Sequence, residues 1–217
     1  MQELSPLPSR RPWLSDWVII SFIALVNLAL HALVIQKYNY FRDELYYIAS
    51  SNHLALGYVD QPVLSLVILR GVRMAFGDSL AAIRLLPALG SAALIFLAAL
   101  MARELGGKRF ALILAAMAGF APTGNFFTFH IYSMNFIDIL FWQACILIVI
   151  RIVKTDNPKY WLLFGAAAGV GLENKVSPLF LGFGIATGLL LTKNRKFLLN
   201  KYLWLGGIIA GFLFLPY

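Results

Sequence analysis

The chain has 217 residues, 60% of them hydrophobic and 13% charged, with a mean hydropathy of +0.78. Soluble domains carry about 25% charged residues, so this composition excludes an ordinary water-soluble domain and points to a chain that lives in a bilayer. The net charge of +8 does not indicate nucleic acid, because the basic residues stand in short clusters between apolar segments, as topology signals do.

The first sixteen residues form a polar, proline-bearing arm, expected on the cytoplasmic side. The apolar stretch Trp17–Gln36 is too long for a signal-peptide core, has no small-x-small cleavage site, and reads as an uncleaved signal-anchor. A span needs roughly 17–25 mostly apolar residues. By that measure Ser79–Ala102, Phe110–Phe127 and Ile131–Ile152 are further spans, with Pro122 breaking the last turns of the second. Tyr160–Leu172 and Pro178–Thr192 are shorter, and Tyr202–Tyr217 starts a seventh apolar segment. Val63–Phe76 is apolar but carries Arg70 and Arg73, which marks an interfacial or re-entrant helix. The sequence thus predicts an all-α membrane protein, a bundle of about seven spans over residues 17–217, with its longest external loop at 37–78. Because the last apolar run is interrupted, the chain is expected to be the N-terminal part of a longer protein.

An N-terminus on the cytoplasmic side puts twelve of the eighteen Lys and Arg in inner segments, a two-to-one excess that supports this orientation. The outer face then holds Lys37, Arg42, Arg70, Arg73, Arg84 and Lys175. It also collects Asp43, Glu44, Asp60, Asp78, Glu173, His53 and His130, and the outer end of the span that carries Asp138. Carboxylates near hydrocarbon are costly and are functional candidates by default.

Two of these positions have an ordinary structural explanation. Asp43 is expected to cap a surface helix starting near Glu44, with Leu45, Ile48, Ala49 and Leu56 as its apolar stripe and its tyrosines at headgroup level. Asp60-Gln61-Pro62 is a normal start signal for the next helix, with Pro62 in its first turn. Asp138, in YSMNFIDILFW, has Arg84 as a candidate structural partner. Lys175, in the polar break GLENKVSP, is either a snorkelling lysine or a cation for a phosphate group. His130 is a candidate ligand or acid–base group, with simple solvation as the alternative. Cys145 lies in an apolar run as a small hydrophobe, and the glycines at 165, 169 and 171 suit close helix packing. The sequence contains no HExxH, CxxC or Walker motif.

Four stretches in order, FRDELYYI…GYVDQPVL, IRLLPALGSAALIFLAALMAREL, APTG…FIDILFW and GLENKVSPL, resemble the dolichyl-phosphate-mannose-protein mannosyltransferase superfamily, which includes bacterial lipid A aminoarabinose transferases. The resemblance runs from about residue 38 onward. It implies a GT-C helical bundle with an extracytoplasmic active site, a sugar donor carried on polyprenyl or dolichyl phosphate, and a protein or glycolipid acceptor. By matched position, Asp43 is implied as the catalytic aspartate, Asp138 as the second acidic position, and Asp60 as the acid preceding the proline, with Glu44 completing the Asp-Glu pair. Gln61 stands where aminoarabinose transferases have lysine, which argues against aminoarabinose as the sugar. Lys175, Arg42 and Arg84 are then the candidates for the donor phosphate, and His130 joins the substrate-binding set. No metal is obligatory in such a reaction, although its acidic residues leave room for a divalent cation. A multi-span transporter or flippase, or a non-catalytic membrane subunit, is the alternative; a transporter would place its charges near the middle of the spans.

Overall fold

The computed structural model of the chain describes residues 12–121 and 128–217. Pro122 and most of the APTG stretch lie outside the described residues. Among the described residues regular structure is helical, apart from one antiparallel bridge between Gly57 and Pro62. The helices are α1 (Pro12–Val34), α2 (Arg42–Asn52), α3 (Leu64–Phe76), α4 (Leu80–Glu104), α5 (Arg109–Phe120), α6 (Met134–Thr155), α7 (Tyr160–Leu172), α8 (Pro178–Leu190) and α9 (Lys201–Phe214). A 3₁₀ segment, Lys193–Leu199, precedes α9.

Among the described residues three helices are long and apolar enough to cross a membrane: Ser15–Val34 within α1, α4 and α6. The 3₁₀ segment and α9 pass the same test together but meet at 62°. Helices α5, α7 and α8 are apolar but have 12 or 13 residues each. Against an expectation of about seven spans, two of them short, three helices among the described residues reach full spanning length, or four with the bent pair. At 1.5 Å of rise per residue, a 13-residue helix covers about 20 Å, short of a hydrocarbon core of about 30 Å.

Apolar side chains form three cores. Ile20, Ala24, Ile95, Ala99 and Ala116 join α1, α4 and α5. Ile148, Ile152, Trp161, Leu189 and Phe197 join α6, α7, α8 and the 3₁₀ segment. Tyr47, Leu66, Leu69, Ile83, Tyr132 and Phe136 lock α2 and α3 onto the ends of α4 and α6. Large apolar groups remain exposed on the outer faces of α1, α8 and α9, among them Phe22, Phe180, Phe183 and Phe212, as lipid contact requires.

Helix α7 lies against α9 through glycines. A Cβ built on Gly165 would stand 2.1 Å from the Gly206 carbonyl oxygen, and one on Gly206 2.2 Å from the Trp161 carbonyl oxygen. Only hydrogen fits at both places, so the backbones touch, as small residues allow between membrane helices.

The bundle has two chemically different ends. At one, Glu104 at the C-terminus of α4 pairs with Arg151 at 3.1 Å and Lys154 at 3.0 Å near the C-terminus of α6, and Asp16 pairs with Arg109 at 3.6 Å. The other end carries α2, α3 and the break between α7 and α8, and it gathers the acidic residues singled out from the sequence.

Candidate active site

The anchor of that end is an ion pair between Glu44 and Arg84, with side chains 0% and 1% exposed. The guanidinium donates from Nε to Glu44 Oε1 at 2.8 Å and from Nη2 to Oε2 at 2.6 Å. Its remaining N–H groups reach the carbonyls of Ile35 (2.8 Å), Tyr38 (3.0 Å) and Asn39 (2.9 Å). All five donors of the fork are thereby used. Glu44 also accepts from the N–H of Phe41 at 2.9 Å, closing the start of α2, and from the N–H of Tyr132 at 3.0 Å. One residue pair thus ties the end of α1, the start of α2, α4 and the approach to α6.

This arrangement corrects two expectations. Arg84 pairs with Glu44 rather than with Asp138, and it has no N–H left for a phosphate. Glu44 is enclosed by four donors and has no lone-pair direction open to a substrate. Both residues hold the site without facing it.

Helix α2 also starts differently from its sequence reading. Phe41 is the N-cap and Asp43 stands within the first turn. The buried face is Glu44, Tyr47 and Ser51, while Leu45 is 53% exposed. Of the expected apolar stripe only Ile48 packs against the core, while Leu45, Ala49 and Leu56 are exposed, because the inward face carries the carboxylate that Arg84 neutralises. Asp43 is left half-exposed, with the 90%-exposed Arg42 as its ion-pair partner at 3.4 Å.

Asp60 and Pro62 precede α3, which begins at Leu64 with Val63 at its N-cap. The start-signal reading is corrected: Pro62 belongs to the bridge with Gly57, and Asp60 accepts a hydrogen bond from the Tyr46 hydroxyl at 2.7 Å. The Tyr47 hydroxyl accepts the N–H of Met134 at 3.2 Å. Burial first, and then the charges of Asp43 and Asp60, push its pKa up to about 12. The phenol therefore stays protonated and keeps a proton to donate.

A second cluster adjoins Met134. Asp138, 9% exposed, accepts from the Ser177 hydroxyl and stands 3.8 Å from Lys175 Nζ. Ser177 in turn accepts from Trp142 Nε1 at 2.9 Å, and Lys175 donates to Asn135 Oδ1 at 2.9 Å. Asn174 donates to the Met134 carbonyl at 2.9 Å. Met134 thus links the clusters, its N–H held by Tyr47 and its C=O by Asn174. The ammonium of Lys175 is one-third exposed and keeps donors beyond the one given to Asn135.

His130 offers its carbonyl to the Tyr38 hydroxyl at 3.0 Å, and its ring lies 4.2 Å from that of His31 on α1. Gln61 is buried, at 1% exposure, beside the Tyr46 hydroxyl. Among the described residues no three His, Cys, Asp or Glu side chains converge as metal ligands.

Sequence reasoning missed Ser177, Trp142, Asn135, Tyr46 and Tyr47. A signal existed for two of them: Trp142 is one helical turn after Asp138 and so shares its face, and Ser177 follows Lys175 in the same break.

The profile of the family described as dolichyl-phosphate-mannose-protein mannosyltransferase matches residues 60–217, well over half of the chain. The match takes in Asp60, Gln61, Arg84, His130, Asp138 and Lys175 and begins after Asp43 and Glu44. No curated protein and no solved structure matches the chain.

Proposed function

The chain belongs to the dolichyl-phosphate-mannose-protein mannosyltransferase family, and from that premise we propose that it transfers a sugar from a polyprenyl- or dolichyl-phosphate carrier to a protein, lipid or glycan acceptor. The reaction takes place on the extracytoplasmic face of the plasma membrane, with the N-terminus in the cytoplasm. Residues 17–217 are the catalytic membrane unit and the loop at 37–78 its catalytic segment.

The observation that carries the reading is the contrast between two consecutive carboxylates. Glu44 is fully enclosed by donors, while Asp43, held rigidly by its neighbour, is half-exposed with one exposed arginine beside it. That is how a fold presents one free base at a fixed place.

In the proposed reaction the acceptor hydroxyl gives its proton to Asp43 as its oxygen attacks the anomeric carbon. The bond from that carbon to the phosphate oxygen breaks, and polyprenyl phosphate departs. Lys175, with Arg42 at the rim, neutralises the departing phosphate. Asp138, with Ser177 behind it, orients Lys175. The Tyr47 proton and Asp60 position the acceptor near the base. The leaving group is already a stable anion, so the step requires no bound metal. The lipid tail stays against the exposed apolar helices. One attacking-side carboxylate implies inversion at the anomeric carbon.

The test is a transfer assay with membranes from cells that express the chain, offered a panel of polyprenyl-phosphate sugars and, separately, nucleotide sugars. Transfer from a lipid-linked donor with inverted anomeric configuration by NMR supports the reading. Direct use of nucleotide sugars, or net retention, contradicts it.

A further inference from the structure

Beneath the proposed catalytic surface lies a set of buried polar atoms with no hydrogen-bond partner in the protein: Gln61 Nε2 and Oε1, Ser65 Oγ, Glu173 Oε1 and Asn174 Oδ1. Gln61 is 1% exposed, and Ser65 and Asn174 are 0% exposed. Buried polar groups are almost always paired, so a cluster of them demands an explanation.

The four residues lie on two segments clamped together. The N–H of Leu64 donates to the Glu173 carbonyl at 2.9 Å, which joins the turn before α3 to the break between α7 and α8. Tyr132 fixes the first segment by donating to the Ser65 carbonyl at 2.6 Å, and Asn174 fixes the second through the Met134 carbonyl. The backbone on both sides is secured, while the side-chain polar atoms are left over. The Tyr46 hydroxyl donates to Asp60 and keeps lone pairs toward Gln61 Nε2, which leaves Gln61 Oε1 as the amide atom with no donor in the protein.

We propose that Gln61, Ser65, Glu173 and Asn174 form the subsite that receives the hydroxyl groups of the donor's sugar, so that the sugar is held on the Gln61 side and its phosphate on the Lys175 side. The inference rests on the reading of the chain as a lipid-linked sugar transferase.

The chemistry of the unpaired atoms selects the ligand. Four of the five are oxygens, three of them acceptors without a proton of their own when Glu173 is ionised. A phosphate offers only acceptors and would face oxygen with oxygen. A sugar ring offers several hydroxyl donors that also accept, which matches carbonyl oxygens, a carboxylate, a serine hydroxyl and one amide N–H₂ group. Asp60 and Lys175 flank the set in sequence on either side, next to Gln61 and Asn174. The anomeric carbon therefore comes to rest between the hydroxyl subsite and the cation.

The test is equilibrium binding to the purified full chain in detergent, with three probes: polyprenyl-phosphate mannose, polyprenyl-phosphate glucose and bare polyprenyl phosphate. A site built to bond hydroxyls loses much of its preference when its own partners are removed. The wild type should bind at least one glycosylated lipid about tenfold more tightly than the bare lipid, and Gln61→Leu and Asn174→Leu should reduce that preference to about twofold or less. Lys175→Gln should weaken all three probes alike. Ser65→Ala, the smallest change, serves if the leucine variants do not fold, and should narrow the preference in the same direction. No preference in the wild type, or an unchanged preference in a folded Gln61 or Ser65 variant, overturns the subsite. Failure of the transferase reading is distinguishable, because it appears as absent transfer in a protein that still shows the binding preference.

Discussion

Asp43 and Glu44 are adjacent in sequence and opposite in environment. Glu44 is completely buried and accepts from Arg84, Phe41 and Tyr132, while Asp43 stands half-exposed beside the exposed Arg42. A helix turns about 100° per residue, so neighbouring side chains necessarily face different ways. The fold uses that rotation to make one acid a strut and leave the other free.

The strut should fail as a unit. Removing one partner of a buried pair leaves an uncompensated charge and costs about 3–5 kcal/mol. Glu44→Gln and Arg84→Met should each lower the thermal midpoint of the purified protein sharply and reduce the yield of monodisperse material. The double variant Glu44→Gln/Arg84→Met should be less damaged than the sum of the two. Additive losses would show that the pair is not coupled.

The contact of α7 with α9 depends on the absence of two Cβ atoms. Gly165→Ala and Gly206→Ala force the backbones apart and should each destabilise by about 1–3 kcal/mol. Gly207→Ala meets open space and should be neutral. Thermal unfolding in one detergent compares the three directly, and equal behaviour of Gly165→Ala and Gly207→Ala would contradict the packing.

Glu173 gives the fold a pH dependence. Burial holds its carboxyl above the ordinary glutamate value, partly offset by the Tyr217 N–H. A raised acid pKa means that the folded form favours the proton. The contribution of this group to stability is therefore greatest below the unfolded value near 4.5 and declines as pH rises through the folded value. Thermal midpoints measured from about pH 4 to about pH 7 should show that decline in the wild type and a flatter profile in Glu173→Gln. An identical slope in the two proteins would exclude Glu173 as its source.

Lys175 should act on the donor without supporting the fold. Its ammonium is one-third exposed, it gives one hydrogen bond to Asn135, and it stands 3.8 Å from Asp138, which the Ser177 hydroxyl also satisfies. Lys175→Gln should leave the thermal midpoint nearly unchanged and weaken donor use by about tenfold or more, the scale of a charge-assisted contact to phosphate. Unchanged kcat/KM in that variant would remove Lys175 from the phosphate site.

The membrane character, the helical class and the division of charge between two ends were legible in the sequence, because hydropathy and short charge clusters are local properties. Span length was less so: Tyr160–Leu172 and Pro178–Leu190 are apolar throughout, yet apolarity does not reveal that a 13-residue helix is too short to cross alone. The site was legible as residue types and illegible as pairings. Nothing local to Arg84 distinguishes Glu44, forty positions away, from Asp138 as its partner. Helix α2 was misread at its start because a phenylalanine caps it, with Glu44 closing the turn from the third position. The unpaired atoms of Gln61 and Asn174 are a product of tertiary burial, which no sequence window contains.

Asp43, not Glu44, is the proposed base. The most direct measurement is the transfer rate per folded molecule for Asp43→Asn against the wild type, with thermal midpoints recorded on the same preparations. A loss of about 10²–10⁴-fold is expected, the range for removal of a general base, with an essentially unchanged midpoint. A folded Asp43→Asn protein that transfers sugar at close to the wild-type rate would contradict it.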